Sequence, residues 1–186
     1  MTAFDFRPRT RVVFGAGEFA RLGEVAREHG ATRCLLLADQ AMLDAGTARE
    51  AIRSLKARRM EVFAFHDFGP EPTVAMVEAA REYAAPQNVD LLVGLGGGSA
   101  LDFTKAVNVV LNNGGSIRDY WGYGNVPKPL LPMIAVPTTA GTGSESQSST
   151  AIVDTEAGAK LTCGDSKIYF RTAILDANLT LSQSQP

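Results

Sequence analysis

The sequence predicts an α/β fold, a doubly wound and mostly parallel sheet of Rossmann-like type that carries a C-terminal β-hairpin. Short apolar runs alternate with helical patterns through most of the 186 residues, as in chains of βαβ units. The run at 90–95 is short and apolar and leads at once into three glycines. Such a run is typical of a strand covered on both faces that turns sharply into a helix.

Composition and charge narrow the class of protein. The chain is 45% hydrophobic and 20% charged, which is ordinary for a globular domain, and its net charge of -2 gives no basic field for nucleic acid or an anionic membrane. No apolar run approaches the roughly 20 residues of a membrane-spanning helix, and the first ten residues lack the apolar core of a signal peptide. Cys34 and Cys163 match no metal spacing, so we expect a cytoplasmic protein with Cys34 in its core.

Periodicity and turn residues divide the chain into elements. We expect strands at 12–14, 33–38, 60–65, 90–95, 131–136 and 172–175. We expect helices at 18–29, 41–57 and 73–85, with Ala45 facing inward in the second, and a fourth helix that has Ser99 as its N-cap. The segment 112–129 is a surface excursion with a short helix around 117–121, 149–154 and 159–163 form the hairpin, and 176–186 is a polar tail.

The glycine turn after the central strand is the first candidate site. Gly97 and Gly98 let a ligand approach the backbone with no Cβ in the way, and Ser99 and Asp102 follow in the first turn of a helix. Unpaired N–H groups and the helix dipole favour an anion at this position, most often a phosphate. A tight turn that binds nothing is the alternative for so short a motif.

Two further groups follow other strands of the predicted sheet. Thr138, Thr139, Thr142 and Ser144 place four hydroxyls within seven residues, suited to phosphate oxygens or to polar groups of a ring, although Thr and Ser also favour loops. Asp39 fits a carboxylate that accepts from ribose hydroxyls, and it also fits the N-cap of the next helix. Because ligands of such sheets bind beyond the carboxyl ends of the strands, we expect these groups to form one site.

Two charged residues have less certain roles. Asp102 either orients the glycine turn or reaches a ligand, and its simplest role is a first-turn acid paired with Lys105. Lys160, in the predicted hairpin, is a candidate phosphate or ribose contact, although most such lysines are solvated surface charges.

Several motifs resemble the iron-containing, or group III, alcohol dehydrogenase family. The specific pair is GGGSALDFTKA at 96–106 followed by PTTAGTGSE at 137–145. VVFGAGEFARLG at 12–23, LADQAM at 37–42 and EPT at 71–73 also fit the family pattern, although each is weak alone. The resemblance runs from about residue 5 to residue 182.

The resemblance implies an NAD-binding α/β domain over 1–180 and, at 181–186, the start of a linker toward an all-helical metal-binding domain that is absent from this sequence. The cofactor-binding residues that it implies are Asp39, Gly97, Gly98, Ser99, Asp102, Thr138, Thr139, Thr142 and Ser144, with Val153, Lys160 and Leu179 as outer contacts. Asp39 favours NAD over NADP. The family's iron or zinc would polarise the oxygen of a small alcohol or aldehyde, but its ligands come from the helical domain, so none is expected here.

The resemblance implies that this chain is the NAD(H)-binding half of a metal-dependent alcohol dehydrogenase, with doubtful activity alone, and we expect it to associate with itself. One alternative is a nucleotide-binding module without catalysis. Another is a fragment of a related glycerol dehydrogenase, maleylacetate reductase or dehydroquinate synthase. The PTTAGTGSE loop favours the alcohol dehydrogenase family over these three.

Overall fold

A six-stranded parallel sheet forms the centre of the protein, as the alternation of strands and helices predicts. The computed structural model describes residues 9–181. The strands of the main sheet, in spatial order, are β1 (Arg11–Phe14), β9 (Thr172–Leu175), β6 (Met133–Pro137), β4 (Leu91–Gly96), β2 (Arg33–Ala38) and β3 (Glu61–Phe65). All neighbours pair in parallel, and the central strands are uniformly apolar because both of their faces are covered.

Helices cover the sheet on two sides. The α-helices are α1 (Leu22–Glu28), α2 (Gln40–Asp44), α3 (Thr47–Ala57), α4 (Val74–Ala84) and α5 (Gly98–Asn113). Four 3-10 helices lie at Glu18–Arg21, Ala85–Gln87, Ile117–Tyr120 and Ala177–Thr180. The apolar side chains of α1 and α3 belong to one core cluster, whereas those of α4 and α5 belong to a second cluster on the other face. The fold is therefore doubly wound.

The predicted hairpin is confirmed and forms a second small sheet. Strands β7 (Ser149–Asp154) and β8 (Ala159–Gly164) pair in antiparallel register, and β5 (Gly122–Tyr123) adds a parallel edge to β8. Arg118, in the predicted short helix of the 112–129 excursion, donates to both carboxylate oxygens of Asp154 at 2.7 and 2.8 Å. This pair lowers the pKa of Asp154 and fastens the hairpin to the excursion.

Local backbone geometry divides two of the predicted helices. The prediction of a single helix at 41–57 is wrong, because Gly46 adopts φ 80° and separates α2 from α3. Ala45, predicted to face inward, is exposed. The helix predicted at 18–29 begins as a 3-10 turn before α1. The predicted polar tail contains a 3-10 helix, Ala177–Thr180, which Asp176 caps.

Both cysteines lie in the packed interior of the protein. Cys34 is fully buried, as predicted, and burial raises the pKa of its thiol, while burial raises the pKa of Cys163 to about 11. Both thiols therefore stay protonated at neutral pH.

Among residues 9–181, none of the helices has the length and hydrophobicity that a membrane-spanning helix needs.

The contact between α1 and α3 leads to a stability prediction. A Cβ on Gly23 would lie 2.1 Å from the backbone oxygen of Ser54, and neither backbone can yield without moving its helix. We expect Gly23→Ala to lower the free energy of unfolding by about 1–3 kcal/mol, measured by urea denaturation, because overpacking outweighs the higher helix propensity of alanine. Gly69→Ala is the control, since that Cβ has open space. An unchanged denaturation midpoint for Gly23→Ala would contradict this account of the helix contact.

Candidate functional site

Three adjacent strands bring the predicted groups to one edge of the sheet. In the ladder, Ala38 of β2 lies opposite Leu95 of β4, and Gly96 of β4 lies opposite Pro137 of β6. The segments that follow these strands therefore emerge side by side. The chain leaves β2 toward α2 on one face and leaves β4 toward α5 on the other. This divergence is a topological switch point, the usual ligand crevice of an open α/β sheet.

The glycine turn starts α5 two residues earlier than predicted. Gly97 is the N-cap and Gly98 the first helical residue, so the prediction of Ser99 as N-cap is wrong. The first helical hydrogen bond runs from Leu101 N–H to the carbonyl of Gly97, at 3.2 Å between nitrogen and oxygen. The N–H groups ahead of it, on Gly98 and Ser99, have no intrahelical acceptor. They are available to an anion, as the sequence analysis expects.

Two glycines of this turn differ in whether the backbone requires glycine. Gly96 has φ 142°, a backbone conformation that side chains rarely adopt. Gly97 has φ -74° and ψ -176°, which any residue adopts, and a Cβ on it would lie 3.5 Å from Thr139, an ordinary contact. The protein itself therefore tolerates a side chain at Gly97.

The loop after β6 lies against the glycine turn. A Cβ on Gly98 would lie 3.0 Å from Thr142 Cβ and 3.1 Å from Ser144 Oγ. The hydroxyl oxygen of Thr139 is buried and has no hydrogen-bond partner within the described residues. Thr138 is 3% exposed, and its N–H donates to the carbonyl of Gly96 at 2.9 Å. The structure thus brings the four predicted hydroxyl residues to the turn, with Thr138 the least accessible.

Asp39 is the N-cap that its position predicts, and it also borders the crevice. Its Oδ1 accepts from the N–H of Met42 at 3.1 Å, so Asp39 is the N-cap of α2. Its Oδ2 faces the glycine turn and would lie 3.9 Å from a Cβ on Gly96. The residue is half-buried at the end of β2, one strand away from the turn. One carboxylate oxygen therefore holds the helix, and the other borders the crevice.

Asp102 is turned toward the protein. Its Oδ2 accepts from the N–H of Ala151 at 3.1 Å, and its Oδ1 lies 2.9 Å from Nζ of Lys105, which confirms the predicted ion pair. Its backbone oxygen also accepts from the hydroxyl of Thr150 at 2.6 Å. Of the two roles left open by the sequence, these contacts favour orienting the turn over touching a ligand.

The three outer residues lie around this centre. Val153 and Lys160 face each other across the hairpin, two residues along β7 from the strand position that Asp102 holds. Val153 is half-buried and Lys160 is exposed. Leu179 lines a different groove of about 540 Å³ that Phe19 and α3 also border. The N–H of Val153 donates to the carbonyl of Pro72 at 3.0 Å, so the hairpin pair lies next to the start of α4, and Leu179 lies in a separate groove.

A cavity of about 300 Å³ adjoins the hydroxyl loop. Thr139, Gly141 and Glu145 line it from the loop, and the other walls are formed by Phe14, Pro137, Ala140, Leu175, Asp176, Ala177 and Thr180. Glu145, the acid that closes the PTTAGTGSE motif, is not among the site residues that the sequence predicts. Most of the wall is apolar, so the cavity suits a flat organic group with few polar atoms.

The described residues do not assemble a metal site. Within 9–181, no group of three or more His, Cys, Asp or Glu side chains is arranged to hold a metal ion. His29 bonds to the hydroxyl of Thr172 at 3.0 Å between nitrogen and oxygen, and burial together with Arg11 and Arg171 lowers its pKa. His66 is exposed after β3. No chemical step is assigned to a metal held by these residues.

The fold and the crevice together define a doubly wound α/β domain with a glycine turn at its switch point. A family model described as iron-containing alcohol dehydrogenase matches residues 8–177. This chain therefore belongs to the iron-containing alcohol dehydrogenase family. The match agrees with the motifs at 96–106 and 137–145 and favours this family over a fragment of a related one.

Relatives and solved structures agree with this placement. The chain is 34% identical to NAD-dependent methanol dehydrogenase of Bacillus methanolicus over 98% of its own length and 48% of that protein. It superposes on a crystal structure of 1,3-propanediol oxidoreductase with a TM-score of 0.92 at 26% identity, covering 98% of this chain and 48% of that one. Sulfoacetaldehyde reductase from Bifidobacterium kashiwanohense, solved in complex with NAD+, gives 0.86 at 30% identity, with 98% and 48% covered. The chain spans about half the length of these proteins.

Proposed function

We propose that this chain binds NAD(H) and forms the cofactor-binding half of a metal-dependent alcohol dehydrogenase, which transfers a hydride between a small alcohol or aldehyde and the nicotinamide ring. The observation that carries the proposal is the space in front of Gly97. Its backbone needs no glycine, and the buried, unpartnered hydroxyl of Thr139 adjoins it. A pyrophosphate there would accept from this hydroxyl and from the free N–H groups of Gly98 and Ser99.

The remaining crevice fits the two ends of a dinucleotide. Oδ2 of Asp39 is available to the hydroxyls of the adenosine ribose, and its charge disfavours a 2′-phosphate. The cavity beside Thr139 and Glu145 has the size and apolar character for a nicotinamide ring. We assign cofactor contacts to Asp39, Gly97, Gly98, Ser99, Thr138, Thr139, Thr142 and Ser144, with outer contacts from Val153, Lys160 and Leu179. Asp102 supports them from behind the turn.

The metal and the substrate pocket belong to the part of the enzyme beyond the domain proposed at 1–180. A metal of this family, iron or zinc, would supply the positive charge that polarises the substrate oxygen. The described residues offer no ligand set for it. Their contribution is to hold the cofactor and present one face of the nicotinamide ring. We also propose that the chain forms a homo-oligomer, supported by the exposed apolar side chains Val12 and Phe14 on edge strand β1. The free thiols of Cys34 and Cys163 support a cytoplasmic location.

The charge of Asp39 predicts a preference between cofactors. NADH should bind more tightly than NADPH, and Asp39→Asn should weaken NADH about tenfold while bringing the two affinities together, because a charge-assisted hydrogen bond and a repulsion are both removed. Asparagine still caps α2, so the fold is kept. Calorimetric titration of both cofactors measures the effect, with Asp44→Asn as the control for loss of a nearby exposed carboxylate. Tighter NADPH binding by the parent chain would overturn the role of Asp39.

The space at Gly97 predicts a variant that folds but does not bind. Gly97→Ala should lower the free energy of unfolding by no more than about 1 kcal/mol, the cost of alanine in place of a glycine N-cap, since the new Cβ meets only an ordinary contact with Thr139. NADH affinity should fall at least tenfold, about 1.4 kcal/mol, because the methyl group enters the pyrophosphate space. Gly69→Ala serves as the control for both measurements. Parent-like NADH binding by Gly97→Ala would place the phosphate site elsewhere.

The metal requirement predicts binding without turnover by this 186-residue chain. A catalytic metal site takes at least three protein ligands, and hydride transfer needs a polarised carbonyl over the ring. The assay follows NADH oxidation with a panel of aldehydes, with and without Fe²⁺ or Zn²⁺, after a titration has shown that NADH binds. We expect no metal-dependent rate above the protein-free blank. Turnover of about 1–1000 per second would reveal a metal site within this chain.

A further inference from the structure

Lys105 is a lysine with no exposed side-chain surface, in the middle of the buried helix α5. Its neighbours Thr104, Ala106 and Val107 are also fully buried. Lysine is almost never fully buried unless its charge is paired, because an ammonium group loses its hydration there. The contacts that this amine makes must therefore offset the hydration that it loses on burial.

The amine fastens three separate segments to one point. Nζ donates to the carbonyl of Ser144 at 2.9 Å and to the carbonyl of Ser149, and it lies 2.9 Å from Oδ1 of Asp102. Ser144 and Ser149 mark the end of the hydroxyl loop and the start of β7. Together with Asp102, which holds the N–H of Ala151, the amine fixes this stretch against the first turns of α5.

Three oxygen atoms surround this ammonium group, and two of them, the carbonyl oxygens of Ser144 and Ser149, accept a hydrogen bond from it. The third, Oδ1 of Asp102, is an ion-pair partner without a hydrogen bond. The lysine side chain has no exposed surface through which a phosphate of a ligand could reach it. Lys105 therefore acts on the crevice only through the segments that it holds.

The segment that Lys105 holds is the one that faces the glycine turn. Ser144 Oγ is 3.1 Å from the position of a Cβ on Gly98, so a small movement of the Ser144 backbone changes the width of the phosphate site. The amine of Lys105 donates a hydrogen bond to the carbonyl oxygen of that same residue. Displacement by about 1 Å of groups that position a ligand is enough to lose much of their effect.

We propose that Lys105 is a positioning residue for the cofactor: it sets the distance between the hydroxyl loop and the glycine turn without touching the dinucleotide. The inference rests on the proposed function, since it assumes that NAD(H) occupies this crevice. Asp102 contributes to this positioning, because it supplies the negative charge that favours the protonated form of the buried amine.

The first test compares NADH binding by the parent chain, Lys105→Met and Lys128→Met. Methionine keeps the length and apolar stem of lysine but removes the three donors, and Lys128 is an exposed lysine whose loss leaves this loop unaffected. We expect the NADH dissociation constant to rise at least tenfold in Lys105→Met and to stay within twofold in Lys128→Met. Asp102→Asn is the second variant if Lys105→Met does not fold, with a smaller loss expected.

The second test measures the loop without any cofactor. Amide hydrogen exchange should be at least tenfold faster at 144–151 in Lys105→Met than in the parent, while the amides of β2 and β4 keep their protection. A direct phosphate ligand would leave exchange of the free protein unchanged. This readout therefore separates a residue that holds the loop from one that binds the cofactor.

A third readout is the alkaline side of the pH profile. Burial lowers the pKa of Lys105, whereas the two charged groups that face it, Asp102 from α5 and Glu145 from the loop, raise it. The ring of Phe170 lies 5.8 Å away. NADH affinity of the parent should fall with rising pH as the amine loses its proton and releases the loop. Lys105→Met should lack this alkaline decline.

The outcomes separate the inference from the function on which it rests. A parent chain that binds no NADH overturns both. A parent that binds NADH, with equal binding by Lys105→Met or unchanged loop exchange, overturns only the role of Lys105. Weaker binding and faster loop exchange in Lys105→Met, with loss of the alkaline decline, support it.

Discussion

The hydrogen-bonded register of β2, β4 and β6 is the constraint on which the rest of the molecule depends. Parallel neighbours in register end at the same level, so the segments after Ala38, Gly96 and Pro137 must emerge together. The helices after the first two of these strands go to opposite faces and leave a crevice between them. A carboxylate, a row of N–H groups and a set of hydroxyls then converge without any of them being near in sequence.

Convergence alone does not give a defined width to this crevice. The loop after β6 contains exposed residues and positive-φ glycines at 141 and 143, so its own backbone does little to fix it. The buried amine of Lys105 supplies what the loop lacks, by joining two of its carbonyl groups to the first turns of α5. Burying this charge has a cost that the Asp102 carboxylate offsets, and such paired charges favour one geometry over many.

Glycine has three different uses in this fold. At Gly96 it permits a backbone conformation that side chains rarely adopt, and at Gly23 it lets α1 approach the backbone of α3. At Gly97 neither reason applies, since its backbone is extended and its Cβ would meet no close contact. A glycine that the protein does not need for itself indicates close approach by another molecule.

The amino-acid sequence predicts most of the strand and helix order, the hairpin at 149–164, the cap at Asp39 and the glycine turn after the central strand. Each of these depends on periodicity or on turn residues within a short window. The N-cap of α5 at Gly97 instead of Ser99, and the contacts of Asp102 with the hairpin, are visible only in the folded chain. Asp102 is turned by donors from Thr150 and Ala151, which lie 48 and 49 residues away, and local patterns carry no information about such neighbours.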